Sequence, residues 1–359
     1  MSYALIGTAK GLVVLDLDGP KLEAIYFKGF SITMLHIDSR DQRWWVGISH
    51  KHWGQKLHYS EDFGNTWHET PTPVFEDATM PDGSRARVRQ LWCMANANTD
   101  KPGNIWVGTD PGALFESDDN GKSFQLVTGL WNHPSRNNPG QWFGAGSDHP
   151  FIHSIVVDPL NSDHVYIAIS CAGVFETTDG GKSWEARNSG LVAAYLPNPH
   201  VEIGHDPHLL LQHPVDRNVL WQQNHCGIYV SRDSGASWND VSGKDGMPYY
   251  GFAIAIDDED PARAWVIPVE SDEQRVAPEL QLKVYQTSDY GSSWQEMNDG
   301  LPEPPVFDIV LRHAFAKNGR NMLFGTTNGN LYFSDSGSPE WKLIMANLTK
   351  VNTVKIGIK

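Results

Sequence analysis

One short string returns at nearly even spacing along the chain and constrains the fold more than any other feature. Five copies read Ser/Thr-x-Asp-x-Gly-x-Ser/Thr-Trp/Phe, at residues 60–67, 117–124, 177–184, 231–238 and 287–294. A degenerate sixth copy keeps Asp335, Gly337 and Trp341. The key aspartates follow one another at intervals of 46 to 60 residues, the length of one four-stranded antiparallel sheet with its turns. Such a period predicts a radial array of sheets.

Each position of this string has a mechanical role in a tight hairpin. The aspartate can accept hydrogen bonds from backbone N–H groups further along the turn, and the hydroxyl can tie the turn from its other side. Glycine supplies a positive φ, and the closing Trp or Phe re-enters the sheet as an apolar residue. We therefore interpret the repeated aspartates as structural rather than catalytic.

A pair of apolar strands precedes each copy, and a further strand pair opens the chain without an aspartate string. This opening unit, Ala4–Thr8 with Gly11–Leu15, lacks an innermost strand, whereas the chain ends on an unpaired alternating segment, Val351–Ile358. Six copies plus the opening unit predict an all-β, seven-bladed β-propeller of four-stranded antiparallel blades. Pairing of the N- and C-terminal strands in one blade would close the ring and remove its exposed edges.

These repeats resemble the Asp-box, or BNR-repeat, propellers. That group includes sialidases, xyloglucan-active glycoside hydrolases, sortilin-type receptors and photosystem assembly factors. The chain looks most like bacterial BNR-repeat proteins labelled exo-α-sialidase or glycosyl hydrolase, with which it shares the phrase Gln222-Gln223-Asn224-His225-Cys226-Gly227. The resemblance implies a propeller fold over nearly the whole chain, and it implies a hydrolase, a receptor or an assembly factor.

Composition favours a single domain over residues 1–359. A hydrophobic content of 40% with 14 Trp supports one substantial core. We see neither a signal-like N-terminal segment nor an apolar run of about eighteen residues, and so expect a cytoplasmic protein without a membrane partner. The formal net charge of −15 disfavours nucleic acid as a partner. The three cysteines show no disulfide-framework or Cys-x-x-Cys zinc spacing.

Long loops are predicted to share one face of the ring, opposite the aspartate turns, and to form a ligand cleft. They span Thr70–Arg87, Thr128–Pro150, Asn188–Pro207 and Pro268–Leu282, and nine of the 15 histidines lie on this face. Candidate ligand-binding residues on or beside these loops are Arg89, His149, His205, Tyr249, Arg312 and Trp142.

Two histidines occupy equivalent positions on adjacent inner strands. Aligning Asp158-Pro159 with His213-Pro214 places His153 and His208 in register, so both are expected near the axis. With His225 from a neighbouring loop they form a candidate site for a divalent metal such as zinc. The alternative is that these imidazoles simply hydrogen-bond to water or backbone.

Sialidase chemistry is disfavoured because the required residues are missing. The arginines do not reproduce the distributed sialidase set that binds a substrate carboxylate, and no Arg-Ile-Pro signature is present. Other glycosidases need two carboxylates across a cleft. Glu202 and Asp308 are the candidates we assign a catalytic role, together with His153 and His208.

The sequence thus predicts a hydrolase-like propeller that acts on a carbohydrate or another small polar ligand in a His-rich pocket, with metal assistance left open. The alternative is a non-catalytic scaffold that binds a protein or carbohydrate partner.

Overall fold

The chain is an all-β protein built from short sheets. The computed structural model describes residues 2–138, 140–244, 247–335, 338 and 340–359. Residue contacts divide the chain into two compact units, unit 1 (Met1–Ile32 and Leu211–Lys359) and unit 2 (Thr33–Leu210). Among the described residues, no helix has the length and apolar character needed to cross a membrane.

Unit 2 contains four-stranded sheets whose strands pair in chain order. The first sheet has strands Ser31–Ile37, Trp44–His50, Gly54–Ser60 and His68–Thr70; the second has Gln90–Asn96, Ile105–Asp110, Leu114–Ser117 and Gln125–Leu126; the third has Ile152–Asp158, Asn161–Ile169, Gly173–Thr177 and Glu185–Ala186. The α-helix Thr128–Trp131 and the 3₁₀-helix Pro134–Asn137 lie in the long loop between the second and third sheets.

Unit 1 contains two four-stranded sheets and one eight-stranded sheet. The two boundaries between the units fall within strands, one in Ser31–Ile37 and the other in Pro207–Gln212. The first sheet has strands Pro207–Gln212, Leu220–Asn224, Gly227–Ser231 and Asn239–Asp240; the second has Gly251–Ile256, Ala264–Pro268, Tyr285–Thr287 and Gln295–Glu296, with the 3₁₀-helix Pro278–Leu280 in the loop before its third strand.

The eight-stranded sheet consists of two sets of four strands that meet at a single parallel pair, His313 opposite Thr353. One set is Val310–Asn318, Asn321–Thr326, Leu331–Asp335 and Lys342–Met345; the other is Val351–Ile358, Ser2–Thr8, Gly11–Asp16 and Lys21–Tyr26. The predicted pairing of the terminal strands is present: Ser2–Thr8 runs antiparallel to Val351–Ile358 along its whole length.

The aspartate turns share one hydrogen-bond pattern. In the turn of the second sheet, the Ser117 hydroxyl donates to Asp119 Oδ1 at 2.8 Å and accepts from the Gly121 N–H at 2.9 Å. The backbone N–H groups of Lys122 and Ser123 donate to Asp119 Oδ1, and the Ser123 hydroxyl donates to Oδ2. The Ser123 contacts, ahead of the rest, lower the pKa of Asp119 to about 2. A carboxylate engaged this fully has a structural role, as the sequence predicts.

The other four complete turns repeat this arrangement. In each, the aspartate accepts a hydrogen bond from the backbone N–H four residues on: Asp62 from Thr66, Asp179 from Ser183, Asp233 from Ser237 and Asp289 from Ser293. The degenerate copy differs, because Asp335 accepts from Arg320 Nε at 2.8 Å. Its Gly337 lies outside the described residues.

The turn glycine also carries the packing of one sheet on the next within unit 2. A Cβ added at Gly121 would lie 2.5 Å from Cη2 of Trp45, an indole of the preceding sheet that is fully buried. One sheet later, a Cβ added at Gly181 would lie 3.2 Å from Cη2 of Trp106. These two turns therefore pack on an indole of the sheet before them.

In three sheets the first strand in chain order carries a β-bulge near its first residues. The register skips Trp92 in the second sheet of unit 2, His153 in the third, and Phe252 in the second sheet of unit 1. A bulged residue is released from the strict alternation of side chains between the two faces.

Candidate ligand-binding site

Two loops of unit 2 enclose a cavity of about 190 Å³, which we call the loop pocket. One wall is the tip of a small hairpin held by the bridge between Thr79 and Arg85. The other walls come from the long loop between the second and third sheets. The lining residues are Met80, Pro81, Asp82, Arg136, Trp142, Phe143, Gly144, Asp148, His149 and Pro150. The predicted ligand-binding residues Trp142 and His149 are among them.

Arg136 is the buried cation of the loop pocket, with 6% of its surface exposed. Its guanidinium carbon lies 3.7 Å from the ring centroid of Trp131 and 5.0 Å from that of Trp142. Nη1 donates to the Gly112 carbonyl at 2.6 Å. Trp142 is itself oriented, because its Nε1 donates to the Ser135 hydroxyl at 2.8 Å. Burial lowers the pKa of Arg136 to about 9, so the group is cationic at neutral pH.

Two carboxyl groups lie beside the loop pocket in contrasting environments. Asp110, the last residue of its strand, is buried, and its Oδ2 accepts from the Ser147 hydroxyl at 2.8 Å. Its Oδ1 is buried and makes no hydrogen bond to a described residue. Burial, opposed mainly by the Ser147 hydrogen bond, raises the pKa of Asp110. Asp148 is exposed and forms a 2.7 Å ion pair with the predicted ligand-binding residue Arg89.

Two of the predicted histidines of unit 2, His153 and His205, are buried and engaged with the backbone. His153 Nε2 lies 2.7 Å from the Pro207 carbonyl and Nδ1 lies 3.0 Å from the Ser154 hydroxyl. His205 Nε2 lies 2.7 Å from the Val201 carbonyl, and burial lowers the pKa of His205. Imidazoles in such contacts fix the chain path, which is the alternative role that the sequence leaves open.

Asp206 joins the histidines to the loop pocket. Its Oδ1 accepts from the Ser170 hydroxyl at 2.8 Å and from the Cys171 N–H at 3.1 Å, while Oδ2 lies 3.4 Å from His208 Nε2. The Cys171 carbonyl in turn accepts from the N–H of Phe143, a wall of the loop pocket, at 3.4 Å. One turn therefore connects His208 with the pocket wall.

Glu202, predicted as catalytic, lies elsewhere in unit 2. It borders a separate depression of about 410 Å³ together with His200 and Asn188. Asn188 donates through its side chain to the Glu202 carbonyl at 2.9 Å. Neither the loop pocket nor the Asp206–His208 contact includes Glu202.

Asp308, the other predicted catalytic carboxylate, holds a turn of unit 1 together. It accepts hydrogen bonds from the hydroxyls of Thr326 and Thr327, from the Asn328 N–H and from the Asn330 side chain, at 2.7 to 3.2 Å. Both carboxylate oxygens are occupied by these donors. The contacts account for the burial of Asp308 without a ligand.

The remaining predicted residues of unit 1 pack against aromatic neighbours. The Arg312 guanidinium lies 5.7 Å from the Phe252 ring centroid. The ring of His225 packs edge-on to Tyr250, and its Nε2 lies 3.7 Å from Asp272. Tyr249 is partly exposed, and burial raises its pKa.

Sequence reasoning did not select two residues of this site. Nothing in the sequence distinguishes Arg136 from the other loop arginines, because its burial depends on a 3₁₀ turn and on contacts with Trp131 and Trp142. Asp110 stands in Thr109-Asp110-Pro111-Gly112, which reads as a turn. A carboxylate at the end of a buried strand, just before a predicted loop, was the available signal.

Comparisons with known proteins place this fold among the β-propellers. No family model matches the chain. It is 23% identical over 282 residues to an oligoxyloglucan-reducing end-specific xyloglucanase from Emericella nidulans, covering 67% of this chain and 30% of that protein. The chain thus spans about a third of the length of the curated relatives it matches.

Two solved structures share the fold. A GH74 xyloglucanase from Xanthomonas campestris superposes with a TM-score of 0.67 at 16% identity, covering 96% of this chain and 52% of that one. YCF48 bound to D1 peptide superposes with a TM-score of 0.51 at 14% identity, covering 92% and 88%. At these identities the likeness shows the β-propeller fold.

Proposed function

We propose that this β-propeller binds a carbohydrate in the loop pocket and hydrolyses it. The observation that carries the proposal is the composition of the pocket: an oriented indole, Trp142, stands beside a buried guanidinium and next to two carboxyl groups in unlike environments. Aromatic faces stack on sugar rings, and a few placed polar groups fix orientation. The likeness to xyloglucanases supports the same class of ligand.

The chemistry we propose is acid-assisted cleavage of a glycosidic bond. Glycosidases use two carboxyl groups, one that holds a proton for the leaving oxygen and one that is charged. Burial favours the protonated form of Asp110, and the Ser147 hydroxyl that it already binds offers a path for that proton. Asp148, exposed and paired with Arg89, supplies the charged carboxylate, which takes a proton from the water that attacks the anomeric carbon while the leaving oxygen receives the proton of Asp110. A buried carboxyl group beside an exposed one is typical of sites in which the first acts as an acid and the second as a base.

The test is a panel of neutral and acidic oligosaccharides, xyloglucan fragments included, assayed by calorimetry for binding and by release of reducing ends for turnover. We expect Trp142→Ala to weaken binding and Asp110→Asn to abolish turnover while binding persists. Glu202→Gln, in the separate depression, is the matched control and should leave both unchanged. Turnover that survives in Asp110→Asn would overturn the assignment of Asp110.

A second candidate is a non-catalytic scaffold that binds a protein partner. The fold shared with YCF48 bound to D1 peptide supports it. Oligosaccharide binding without turnover in the wild-type protein, or binding of no saccharide at all, would favour this candidate.

Several finer sequence predictions belong to the same proposal. We propose seven blades, because the single parallel pair between His313 and Thr353 divides the eight-stranded sheet into two sets of four, alongside five four-stranded sheets. The repeated turn hydrogen bonds support membership of the Asp-box group. Ring closure and a cytoplasmic location remain predictions, for which an experimental structure and cell fractionation are the tests.

The proposed zinc site meets an obstacle at His153. A zinc ligand needs an imidazole nitrogen with a free lone pair. Both nitrogens of His153 lie within hydrogen-bond distance of a backbone carbonyl or a hydroxyl, and Nε2 must carry a proton to donate to Pro207. His153 is therefore unsuited as a zinc ligand, and the set of His153, His208 and His225 does not fit a metal. Elemental analysis of the purified protein tests this.

A further inference from the structure

Arg136 differs from Lys317 and Arg40, two other buried cations, in having no acidic partner among the described residues. Lys317 is buried but lies 3.1 Å from Asp258, and Arg40 is largely buried but lies 2.6 Å from Asp38. For Arg136, no carboxylate among the described residues lies within ion-pair distance. Its hydrogen bonding to those residues is limited to one bond, from Nη1 to a carbonyl.

Burial of a guanidinium in this way is costly unless its donors find acceptors. Stacking between Trp131 and Trp142 offsets part of that cost through cation–π attraction. It supplies no acceptor oxygen for the N–H donors of the guanidinium. Nε and Nη2 make no hydrogen bond to the described residues, and Arg136 lines the loop pocket. Their acceptor must therefore be water or a ligand in the pocket.

The free edge of Arg136 has the shape of a carboxylate site. Two parallel N–H groups, from Nε and Nη2, match the two oxygens of a carboxylate, and guanidinium recognises planar anions in this bidentate manner. Trp142, which contacts Arg136 and also packs against Phe175, lines the loop pocket beside this edge. The two features side by side suit a sugar with a carboxylate substituent.

The acidic residues of the pocket decide between anions. Asp82 and Asp148 also line it, and among the described residues only Asp148 of these two forms an ion pair, with Arg89. A doubly charged phosphate would be repelled by these carboxylates more strongly than a singly charged carboxylate. The pocket volume of about 190 Å³ also matches one sugar ring rather than a chain.

We propose that Arg136 binds the carboxylate of an acidic sugar, so that the loop pocket takes a uronic-acid residue of an oligosaccharide in preference to a neutral one. This inference rests on the proposed function, because it names the substrate class of the same pocket. It depends on the free donor edge of Arg136 and its position beside Trp142.

The experiment compares matched ligands on the full chain. Calorimetry with an oligogalacturonide and with the same oligosaccharide after reduction of its carboxyl groups isolates the anion, and inorganic phosphate is the second probe. We expect the acidic ligand to bind about ten- to a hundred-fold more tightly, the effect of a charged hydrogen bond. Added salt should reduce this preference, and Arg136→Gln should remove it.

The outcomes separate this inference from the proposed function. Equal affinity for the acidic and reduced ligands, with both weakened by Trp142→Ala, would overturn the inference and leave carbohydrate binding intact. Tighter binding of phosphate than of the acidic sugar would likewise overturn it. Should Arg136→Gln fail to fold, the comparison of ligands on the wild-type protein still decides. Binding of glucuronate but no oligosaccharide would support the anion site while overturning the oligosaccharide proposal.

Discussion

Substitution of Gly121 by alanine tests how the aspartate turns hold neighbouring sheets of unit 2 together. Two costs are expected. Gly121 has φ +76°, a left-handed conformation that costs an alanine about 1–2 kcal/mol. The new Cβ would also lie 2.5 Å from Cη2 of the buried Trp45, and overpacking of this kind costs about 1–3 kcal/mol. We therefore expect Gly121→Ala to lower the free energy of unfolding by about 2–5 kcal/mol.

Gly54 provides a matched control. Its φ of +73° is nearly the same, but an added Cβ would meet nothing within 4 Å. Gly54→Ala should therefore show only the conformational cost of about 1–2 kcal/mol. Equilibrium urea unfolding of both variants, followed by far-ultraviolet circular dichroism, gives the difference. Equal destabilisation of the two variants would refute the packing role of Gly121. Relief of the excess in Gly121→Ala combined with Trp45→Phe would identify the indole as its source.

Further predictions concern charge and the pocket. The hydrogen bond to Glu176 raises the pKa of His164, so the stabilisation from this pair should be complete below pH 6.5 and be lost as pH rises through the folded-state pKa. Although burial opposes it, hydrogen bonding led by His164 lowers the pKa of Glu176 to about 2, so the same stabilisation should also fade as pH falls from 4.5 towards 2. The urea midpoints of wild type and His164→Gln should differ most between pH 4.5 and pH 6.5. A difference that does not change with pH would contradict the role of this ion pair. Burial raises the pKa of Asp110, so Asp110→Asn should raise the urea midpoint at neutral pH but not below pH 3.8, and an unchanged neutral midpoint would count against burial of a charge there.

The sheets could be predicted because they repeat. The spacing of the aspartate strings fixes where each hairpin lies, and hydrogen bonds such as those of Asp119 depend only on residues within one turn. The pairing of Ser2–Thr8 with Val351–Ile358 could also be predicted, because the first unit lacks one strand and the last segment is a strand without a partner in its own unit. Local geometry and a count of strands were sufficient for these features.

The site could not be predicted in the same way. His153 was expected near the axis from its alignment with His208, but it is the extra residue of a bulge, and Nε2 of its imidazole lies 2.7 Å from a backbone carbonyl. Arg136 depends on a loop without periodicity, where a 3₁₀ turn and two indoles decide its burial. The sequence around Asp308 gives no sign of its four hydrogen-bond donors, because they come from residues 326–330. Asp308 was therefore predicted to be a catalytic carboxylate.

The bulges at Trp92, His153 and Phe252 have an evolutionary consequence. An indole, an imidazole and a phenyl ring occupy corresponding places in three sheets, although their sizes and polarities differ widely. Elsewhere in a strand, inserting a residue would turn every following side chain to the opposite surface. At these three places the surplus residue is already absorbed, so the side chains that follow keep their faces whichever residue stands there. Such positions allow selection, or a mutagenesis library, to diversify chemistry while the scaffold stays constant.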